Sequence, residues 1–301
     1  MINVIIFSYD RSMQLALLLE SVCRYDINKL LNINILYTYS TESYREGYHY
    51  LQSQFHQFNW VEEIIYNHPQ RNFDFDLFYY HNIYWWLKNR KLRNRKSNYK
   101  SAILQILLQS EDEYAMFLTD DSLFYREIQI PQSHLQKLLE SPLLYSFSLR
   151  HGTHQDGGLY SESSESIQWN VYHNEFLTDW GYPFSIDGHI YEKKAIQRII
   201  QQILFTNPNT MEGNIAYFIK DKKYFPQIIA MKNSCIVGFE LNQVQTAVEN
   251  HHLNISQEKL NQYFLDEYAL QIEFDRTNVK QFRPEITGLK VQKIDEEIIL
   301  L

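Results

Sequence analysis

Two adjacent acidic residues, Asp120 and Asp121, directly follow the apolar run Tyr-Ala-Met-Phe-Leu at residues 114–118. Such a run predicts a buried strand. In an open α/β sheet, ligands bind at the carboxyl ends of the strands, and carboxylates there suit Mg²⁺ or Mn²⁺, which prefer oxygen ligands. A solvated turn in which an aspartate caps the next element accounts for the same pair. The pair alone leaves both interpretations open.

Strand-like and helix-like segments alternate along the first half of the chain. The apolar run at residues 3–7 precedes leucines at helical spacing, and a second strand at residues 33–37 precedes another helical pattern. Further helices are predicted at residues 73–87 and 99–108. This alternation is typical of βαβ units, so we predict an α/β fold with a mostly parallel central sheet flanked by helices.

The length of 301 residues suits one large domain with a small addition. We expect residues 1–230 to form that domain, with residues 1–125 as its ligand-binding half and residues 126–230 as a more mixed second half. Ser256 is placed to cap a helix that begins just after it. We expect residues 231–301 to form a helical C-terminal extension packed on the same domain.

The composition excludes several classes of protein. Hydrophobic residues make up 45% and charged residues 21% of the chain, which are values of a folded globular protein. The formal net charge of −8 argues against a nucleic-acid partner. Two cysteines make neither a disulfide framework nor a zinc site. No apolar run approaches the roughly 20 residues that span a bilayer, and no basic segment precedes the apolar start, so we predict a soluble cytoplasmic protein.

Several signatures of common α/β enzymes are absent from the sequence. There is no Walker A loop, no G-x-G-x-x-G after the first strand, no nucleophile elbow and no H-E-x-x-H. Phosphate-loop enzymes, dehydrogenases, α/β-hydrolases and zinc proteases of that type are therefore disfavoured.

Five short segments occur in an order that is similar to that of the GT-A glycosyltransferases of the family-2 type. They are Ile-Ile-Phe-Ser-Tyr-Asp-Arg at residues 5–11, Tyr-Ser at 39–40, Thr-Asp-Asp at 119–121, Phe-Ser-Ile-Asp-Gly-His-Ile-Tyr at 184–191 and Pro-Asn-Thr-Met-Glu at 208–212. The third segment falls where that family keeps its D-x-D motif, and the last falls where it places an acidic residue at the opening of a helix.

The resemblance implies a GT-A (Rossmann-like) fold and a glycosyltransferase activity. A sugar would pass from a nucleoside-diphosphate sugar to a hydroxyl of a saccharide or lipid-linked acceptor, with inversion, assisted by Mn²⁺ or Mg²⁺. A strict D-x-D motif needs an aspartate where this chain has Thr119, so the metal-binding role falls to Asp121 and a place near the nucleotide to Asp120. A non-catalytic nucleotide-sugar or glycan-binding protein on the same scaffold is the alternative.

Residues that follow the first two strands are the candidates for nucleotide contact. The resemblance gives Ser8, Asp10 and Arg11 this role after the first strand. Tyr39 and Ser40, after the second strand, would flank the base or the ribose. A helix-capping aspartate beside an exposed arginine accounts equally well for Asp10 and Arg11.

Three acids are candidates for the catalytic base. Residues 207–210 predict a helix start that places Glu212 in the first turn, where the positive end of the helix would keep a carboxylate ionised. The resemblance makes Glu212 the first choice, although a first-turn glutamate often only complements the helix dipole. Asp187 and Asp179 are second choices. Each has an alternative role: Asp187 could form a turn with the following glycine, and Asp179 could hold the loop before a tryptophan.

The stretch that begins at Lys88 and ends at Lys100 contains seven Lys or Arg residues and no acid. A solvated helix or loop face accounts for it. Peripheral contact with an anionic membrane, where lipid-linked acceptors reside, is the second interpretation.

Overall fold

The structure is a computed structural model that describes residues 1–71, 94–239, 241–242, 255–276, 279–280, 282–293 and 296–300. The helix predicted at residues 73–87 lies outside these residues, as does the basic stretch up to residue 93.

Strands and helices of the described residues are numbered in chain order. The strands are β1 (Ile2–Tyr9), β2 (Leu31–Thr38), β3 (Asn59–Glu62), β4 (Ile65–Arg71), β5 (Asn94–Ser97), β6 (Tyr114–Thr119), β7 (Ser122–Phe124), β8 (Tyr145–Ser148), β9 (Ser161–Glu162), β10 (Ser166–Asn170), β11 (His189–Glu192), β12 (Gln227–Met231), β13 (Ile236–Gly238), β14 (Ala269–Glu273), β15 (Gly288–Lys293) and β16 (Glu296–Ile299). The helices are α1 (Ser12–Tyr25), α2 (Glu42–Gln54), α3 (Tyr99–Gln109), α4 (Gln132–Glu140), α5 (Lys193–Gln202), α6 (Pro208–Lys222) and α7 (Gln257–Leu265).

The central sheet has the strand order β3-β2-β1-β6-β11-β8-β12-β10-β9. The first four strands in this order, β3, β2, β1 and β6, pair in parallel. Strand β11 is antiparallel to both of its neighbours, β12 is parallel to β8, and β10 is antiparallel to both β12 and β9. All strands except β11 and β10 therefore run in one direction, which confirms the predicted α/β class with a mostly parallel sheet and a mixed second half.

Apolar side chains cover both faces of this sheet. Along β1, Val4 and Ile6 belong to one core cluster, whereas Ile5 and Phe7 belong to another on the opposite face. A strand buried on both faces has no polar side to alternate with its apolar side. This is why the first strand appears in the sequence as a continuous apolar run.

The C-terminal part differs from the predicted helical extension. Helix α7 forms as expected, and Ser256 Oγ accepts a hydrogen bond from Lys259 N at 3.1 Å. The strands β14, β15 and β16 that follow form an antiparallel sheet, so the prediction of a helical segment is wrong for this part. The sequence signal for such strands is alternation of apolar and polar residues. In β15, Leu289 and Val291 are both buried and lie two positions apart.

Candidate functional site

Three neighbouring strands bring polar residues to one edge of the sheet. Strand β6 ends at Thr119, and β8 ends two residues before Arg150. Because β11 runs in the opposite direction, the residues just before its start, including Asp187, reach the same edge. Gly188 makes the turn into β11 with φ of +89°, and a Cβ there would lie 2.7 Å from Ile236 Cδ1. Glycine is therefore required at this position.

Asp120 is buried behind this edge and has both oxygens occupied. Its Oδ2 accepts hydrogen bonds from Ser8 Oγ at 2.8 Å and Tyr9 N at 3.3 Å, and its Oδ1 accepts one from Arg11 Nη1 at 3.0 Å. Burial raises the pKa of Asp120 to about 6, against the opposing effect of the Arg11 charge. The geometry supports a structural role for Asp120, which holds the end of β1 against the end of β6.

Arg11 is a buried cation at the centre of these contacts. Its Nη1 also lies 3.3 Å from Asp121 Oδ2, and its Nε donates to Asn242 Oδ1 at 3.0 Å. The Nη2 atom donates to the carbonyl oxygen of Asn242. The interpretation of Arg11 as an exposed residue is therefore wrong, because acceptor groups of three residues hold its guanidinium inside the protein.

Asp121 and Asp187 meet at one hydroxyl group. Thr119 Oγ1 lies 2.6 Å from Asp121 Oδ1 and 3.0 Å from Asp187 Oδ1. The other oxygen of Asp187 forms an ion pair with Arg150 Nη1. Burial favours the protonated form of Asp187, but the charges of Arg150 and Arg283 prevail and hold its pKa below the usual value. Asp187 is therefore ionised at neutral pH.

Glu212 lies next to this group on α6. The side chain of Asn207 caps the helix, and Pro208 is the first residue of the helix. Glu212 is therefore its fifth residue, and the prediction that Glu212 lies in the first turn is wrong. Its Oε1 accepts a hydrogen bond from Ile186 N at 3.1 Å. Burial and the charge of Asp187 raise the pKa of Glu212 to about 8. The helix terminus therefore does not set the pKa of Glu212, because burial and the charge of Asp187 favour the protonated form of its carboxyl group.

The loops after β1 and β2 are joined through Asp10. This residue has φ of +56°, and its Oδ1 accepts a hydrogen bond from Ser40 N at 2.7 Å. The N-cap of α1 is Arg11 and not Asp10, so the capping interpretation of Asp10 is wrong. Tyr39 is half-buried and donates from its hydroxyl to Glu62 Oε1 at 2.9 Å. The structure thus brings Asp10, Tyr39 and Ser40 together at the ends of neighbouring strands, as the sequence predicts.

Ser8 is buried beneath that loop rather than facing it. Its Oγ donates to Asp120 and lies 2.7 Å from the hydroxyl of Tyr48, which in turn accepts from Arg11 N at 3.2 Å. All of these partners belong to the protein, so the side chain of Ser8 supports the loop from below.

Asp179 stands apart from the other two acids. It opens a short 3-10 turn, its side chain is exposed, and its carbonyl oxygen lies 3.1 Å from His151 Nε2. The same turn places Trp180 in an aromatic cluster with Trp169 and His151. Holding the loop before the tryptophan is thus the role that the geometry supports for Asp179.

A divalent cation would find two partly exposed carboxylates at this edge, Asp121 and Asp187, and Asp187, which is 25% exposed, has one oxygen paired with Arg150. In the part of the chain that the structure describes, no three His, Cys, Asp or Glu side chains are grouped closely enough to hold a metal ion. The Asp121 side chain is 22% exposed, compared with 6% for Asp120. The donor set therefore fits a cation that takes one protein oxygen from Asp121 and its remaining ligands from a phosphorylated substrate and water.

The sequence did not single out Arg150 or Asn242. The available signal for Arg150 was its place just after the strand-like residues 143–149, where a polar residue reaches the ligand-binding edge. Arg150 Nε is buried and has no hydrogen-bond partner among the described residues, so it remains a donor for an anionic ligand. No local signal marks Asn242, because its partner Arg11 lies 231 positions earlier.

The described part of the basic stretch contains one buried lysine, Lys100. Lys100 Nζ donates to the carbonyl oxygen of Gln201 at 2.9 Å, and the side chain points into the protein. Lys100 is therefore not available to a membrane surface, whereas Lys96 is exposed. Within the described ranges, no helix has the length and hydrophobicity needed to cross a membrane.

The fold and the site together define an α/β protein with a cluster of carboxylates and arginines at the ligand-binding edge of its sheet. The chain is 22% identical, over 92% of its length, to the bifunctional glycosyltransferase pgtA of Dictyostelium discoideum. This match confirms the resemblance to glycosyltransferases that the sequence motifs indicate. The chain spans 37% of the length of that relative. No family model matches the chain.

Solved structures of S. aureus TarS show a distant similarity. The TarS 1–349 complex with UDP-GlcNAc has a TM-score of 0.43 at 12% identity, over 85% of this chain and 61% of that one. A crystal structure of TarS has a TM-score of 0.43 at 13% identity, over 78% of this chain and 36% of that one.

Proposed function

We propose that this chain is a glycosyltransferase that moves a sugar from a nucleoside-diphosphate sugar to a hydroxyl of a saccharide or lipid-linked acceptor. The observation that carries the proposal is the meeting of Asp121, Asp187 and Glu212 at the carboxyl edge of the parallel strands. Ligands of open α/β sheets bind at this edge. The sequence similarity to a bifunctional glycosyltransferase supports the same activity.

The donor side of the proposed site is formed by the ends of β1, β2 and β6. Asp10, Tyr39 and Ser40 provide the loop surface for the nucleoside. Asp121 would hold Mn²⁺ or Mg²⁺, which neutralises the charge of a departing diphosphate when bound. Arg11 already offsets the negative charge of Asp120 and Asp121 and keeps Asp121 in place.

The acceptor side of the proposed site is formed by Asp187, Glu212 and Arg150. An inverting transfer needs one base to remove the proton of the attacking hydroxyl. Glu212 is the better base of the two acids, because its pKa of about 8 exceeds that of Asp187, which two arginines lower. In its ionised form Glu212 takes the hydroxyl proton, while Asp187 remains paired with Arg150.

A non-catalytic nucleotide-sugar or glycan-binding protein is the second candidate function. The raised pKa of Glu212 favours it, because a protonated carboxyl group cannot accept a proton. Such a protein would bind the donor without consuming it at any pH. The two functions therefore differ in turnover and not in donor affinity.

A donor screen followed by a hydrolysis assay tests the proposal. UDP- and GDP-sugars are first screened with Mn²⁺ by thermal shift, since a ligand that binds the native state raises the melting temperature. Release of nucleoside diphosphate from the stabilising donor is then measured between pH 6 and pH 9, with and without saccharide acceptors. Turnover that is lost in Asp121→Asn supports a transferase.

Two results would contradict the proposed activity. Stabilisation by a donor without turnover at any pH assigns the binding function instead. The absence of both stabilisation and turnover with every nucleotide sugar excludes both functions. Glu111→Gln, an exposed acid remote from the site, serves as the matched control that should keep full turnover.

A further inference from the structure

The hydroxyl of Thr119 lies between two carboxylates that belong to different sides of the site. Its Oγ1 is 2.6 Å from Asp121 Oδ1 and 3.0 Å from Asp187 Oδ1. A hydroxyl has a single hydrogen, so it donates to one of these oxygens at a time. A ligand that takes Asp121 Oδ1 leaves that hydrogen for Asp187 Oδ1.

Each of these carboxylates has a cation on its other oxygen. Arg11 Nη1 lies 3.3 Å from Asp121 Oδ2, and Arg150 Nη1 pairs with Asp187 Oδ2. The five residues thus form a row in which arginines hold the two ends and Thr119 holds the middle. The arginines fix the outer oxygens, and the threonine hydroxyl keeps the two inner oxygens at close range despite their like charges.

We propose that Thr119 is a positioning residue that sets the placement of Asp121 relative to Asp187 through its shared hydroxyl hydrogen. On the proposed function, it thereby aligns the donor side with the acceptor side. An aspartate at position 119, as a strict D-x-D motif has, would put a third carboxylate within reach of the other two. The row of contacts requires a hydrogen-bond donor there, and aspartate in its ionised form is only an acceptor.

A double-mutant cycle on the unliganded protein tests the contact without any assumption about activity. Thr119→Val keeps the side-chain shape and removes the hydroxyl, and we expect it to lower the melting temperature by about 2–4 °C. Thr119→Ser keeps the hydroxyl and should restore most of that loss. In the Asp187→Asn background the loss should shrink to less than half, because residues that interact directly show non-additive effects.

Thr38→Val is the matched control, since Thr38 is likewise the last residue of a strand of the same sheet, β2, and its backbone carbonyl accepts from Asp10 N. This variant should show the same melting shift in both backgrounds. If Thr119→Val does not fold, Thr119→Ala takes its place in the cycle. Additive effects of positions 119 and 187, or equal melting temperatures for Thr119→Val and Thr119→Ser, would overturn the proposal.

A transfer assay separates positioning from a purely structural role. We expect Thr119→Val to lower kcat by about 10- to 100-fold, as a small misplacement of reacting groups does, while the donor KM changes little. Thr119→Ser should recover most of the kcat, and Thr119→Asp should be no better than Thr119→Val. A Thr119→Asp variant more active than the wild type would overturn the proposal. If the wild type transfers no sugar, the proposed function fails, while the melting cycle still decides the role of Thr119.

Discussion

Arg11 and Asn242, 231 positions apart in the chain, are joined by two hydrogen bonds. The side-chain oxygen and the carbonyl oxygen of Asn242 both accept from the guanidinium that holds Asp120 and Asp121. The segment after β13 therefore completes the surroundings of the carboxylate pair. The donor side of the site is not contained in residues 1–125 alone.

We expect Asn242→Ala to destabilise the protein by about 1–3 kcal/mol, because it leaves Arg11 Nε buried without its acceptor. Equilibrium unfolding in urea measures this difference. Asn209→Ala, at an exposed position of α6, is the control and should change the free energy of unfolding by less than about 0.5 kcal/mol. Equal stability of the two variants would show that the contact with Arg11 contributes nothing.

We expect the transfer rate to rise with pH through an apparent pKa near 8, because Glu212 must lose its proton before it can act as the base. Glu212→Gln should lower kcat by about 10²–10⁴-fold and abolish this rise, while donor affinity stays close to that of the wild type. Measurement of kcat between pH 6 and pH 9 for both proteins tests the expectation.

Asp187→Asn and Asp179→Asn are the comparisons for this experiment. If Glu212→Gln keeps most of its activity and one of these aspartate variants does not, the role of base passes to that aspartate. Retention of configuration at the anomeric carbon of the product would exclude the single-base mechanism altogether.

The same glutamate predicts a pH dependence of stability. Between the ordinary pKa of 4.5 and the folded value of about 8, the native state holds a proton that the unfolded state has lost. The contribution of Glu212 to stability is therefore present below pH 4.5 and is lost as the pH rises towards 8. We expect Glu212→Gln to raise the melting temperature by about 2–4 °C at pH 8, with a smaller gain at pH 5.

Differential scanning calorimetry of Glu212→Gln at both pH values measures this effect. Glu111→Gln should leave the melting temperature unchanged at either pH. A Glu212→Gln variant that is less stable than the wild type at pH 8 would contradict the raised pKa.

We expect Arg150→Met to destabilise the protein by about 1–3 kcal/mol, because it leaves Asp187 ionised and half-buried without its ion-pair partner. Removal of both charges in Arg150→Met/Asp187→Asn should recover part of the loss. Urea unfolding of the single and double variants gives the two values. Arg198→Met, an exposed position on α5, serves as the control.

The parallel half of the fold could be predicted because its strands are buried on both faces and therefore stand out as apolar runs. The same argument correctly placed Asp120 and Asp121 at the end of β6. It could not tell which of the two is accessible, because that depends on Ser8 and Arg11, which approach from another strand. The strands β14 to β16 were not predicted, although Leu289 and Val291 alternate with polar residues, because each strand is too short for alternation to stand out.

Long-range contacts account for the rest of what the sequence did not show. The helix that contains Glu212 was predicted. The pKa of the Glu212 carboxyl group depends on Asp187 and on burial against Ile186, which lies 26 positions away. Burial of Arg11 depends in the same way on Asn242. Local sequence therefore locates the candidate acids, and tertiary packing decides their protonation states.

Because strand β11 runs opposite to its neighbours, the segment before it and the loops after β1, β2 and β6 meet at one edge but can vary in sequence independently. Residues that precede β11 reach the same edge of the sheet as the loops after β1, β2 and β6, but they belong to a distant part of the chain. The exposed positions 173, 175 and 177–179 of that segment can accordingly vary without touching the end of β6, whereas Asp187 contacts Thr119 there directly. On the proposed function, such variation would change the choice of acceptor and leave the choice of nucleotide to the other loops.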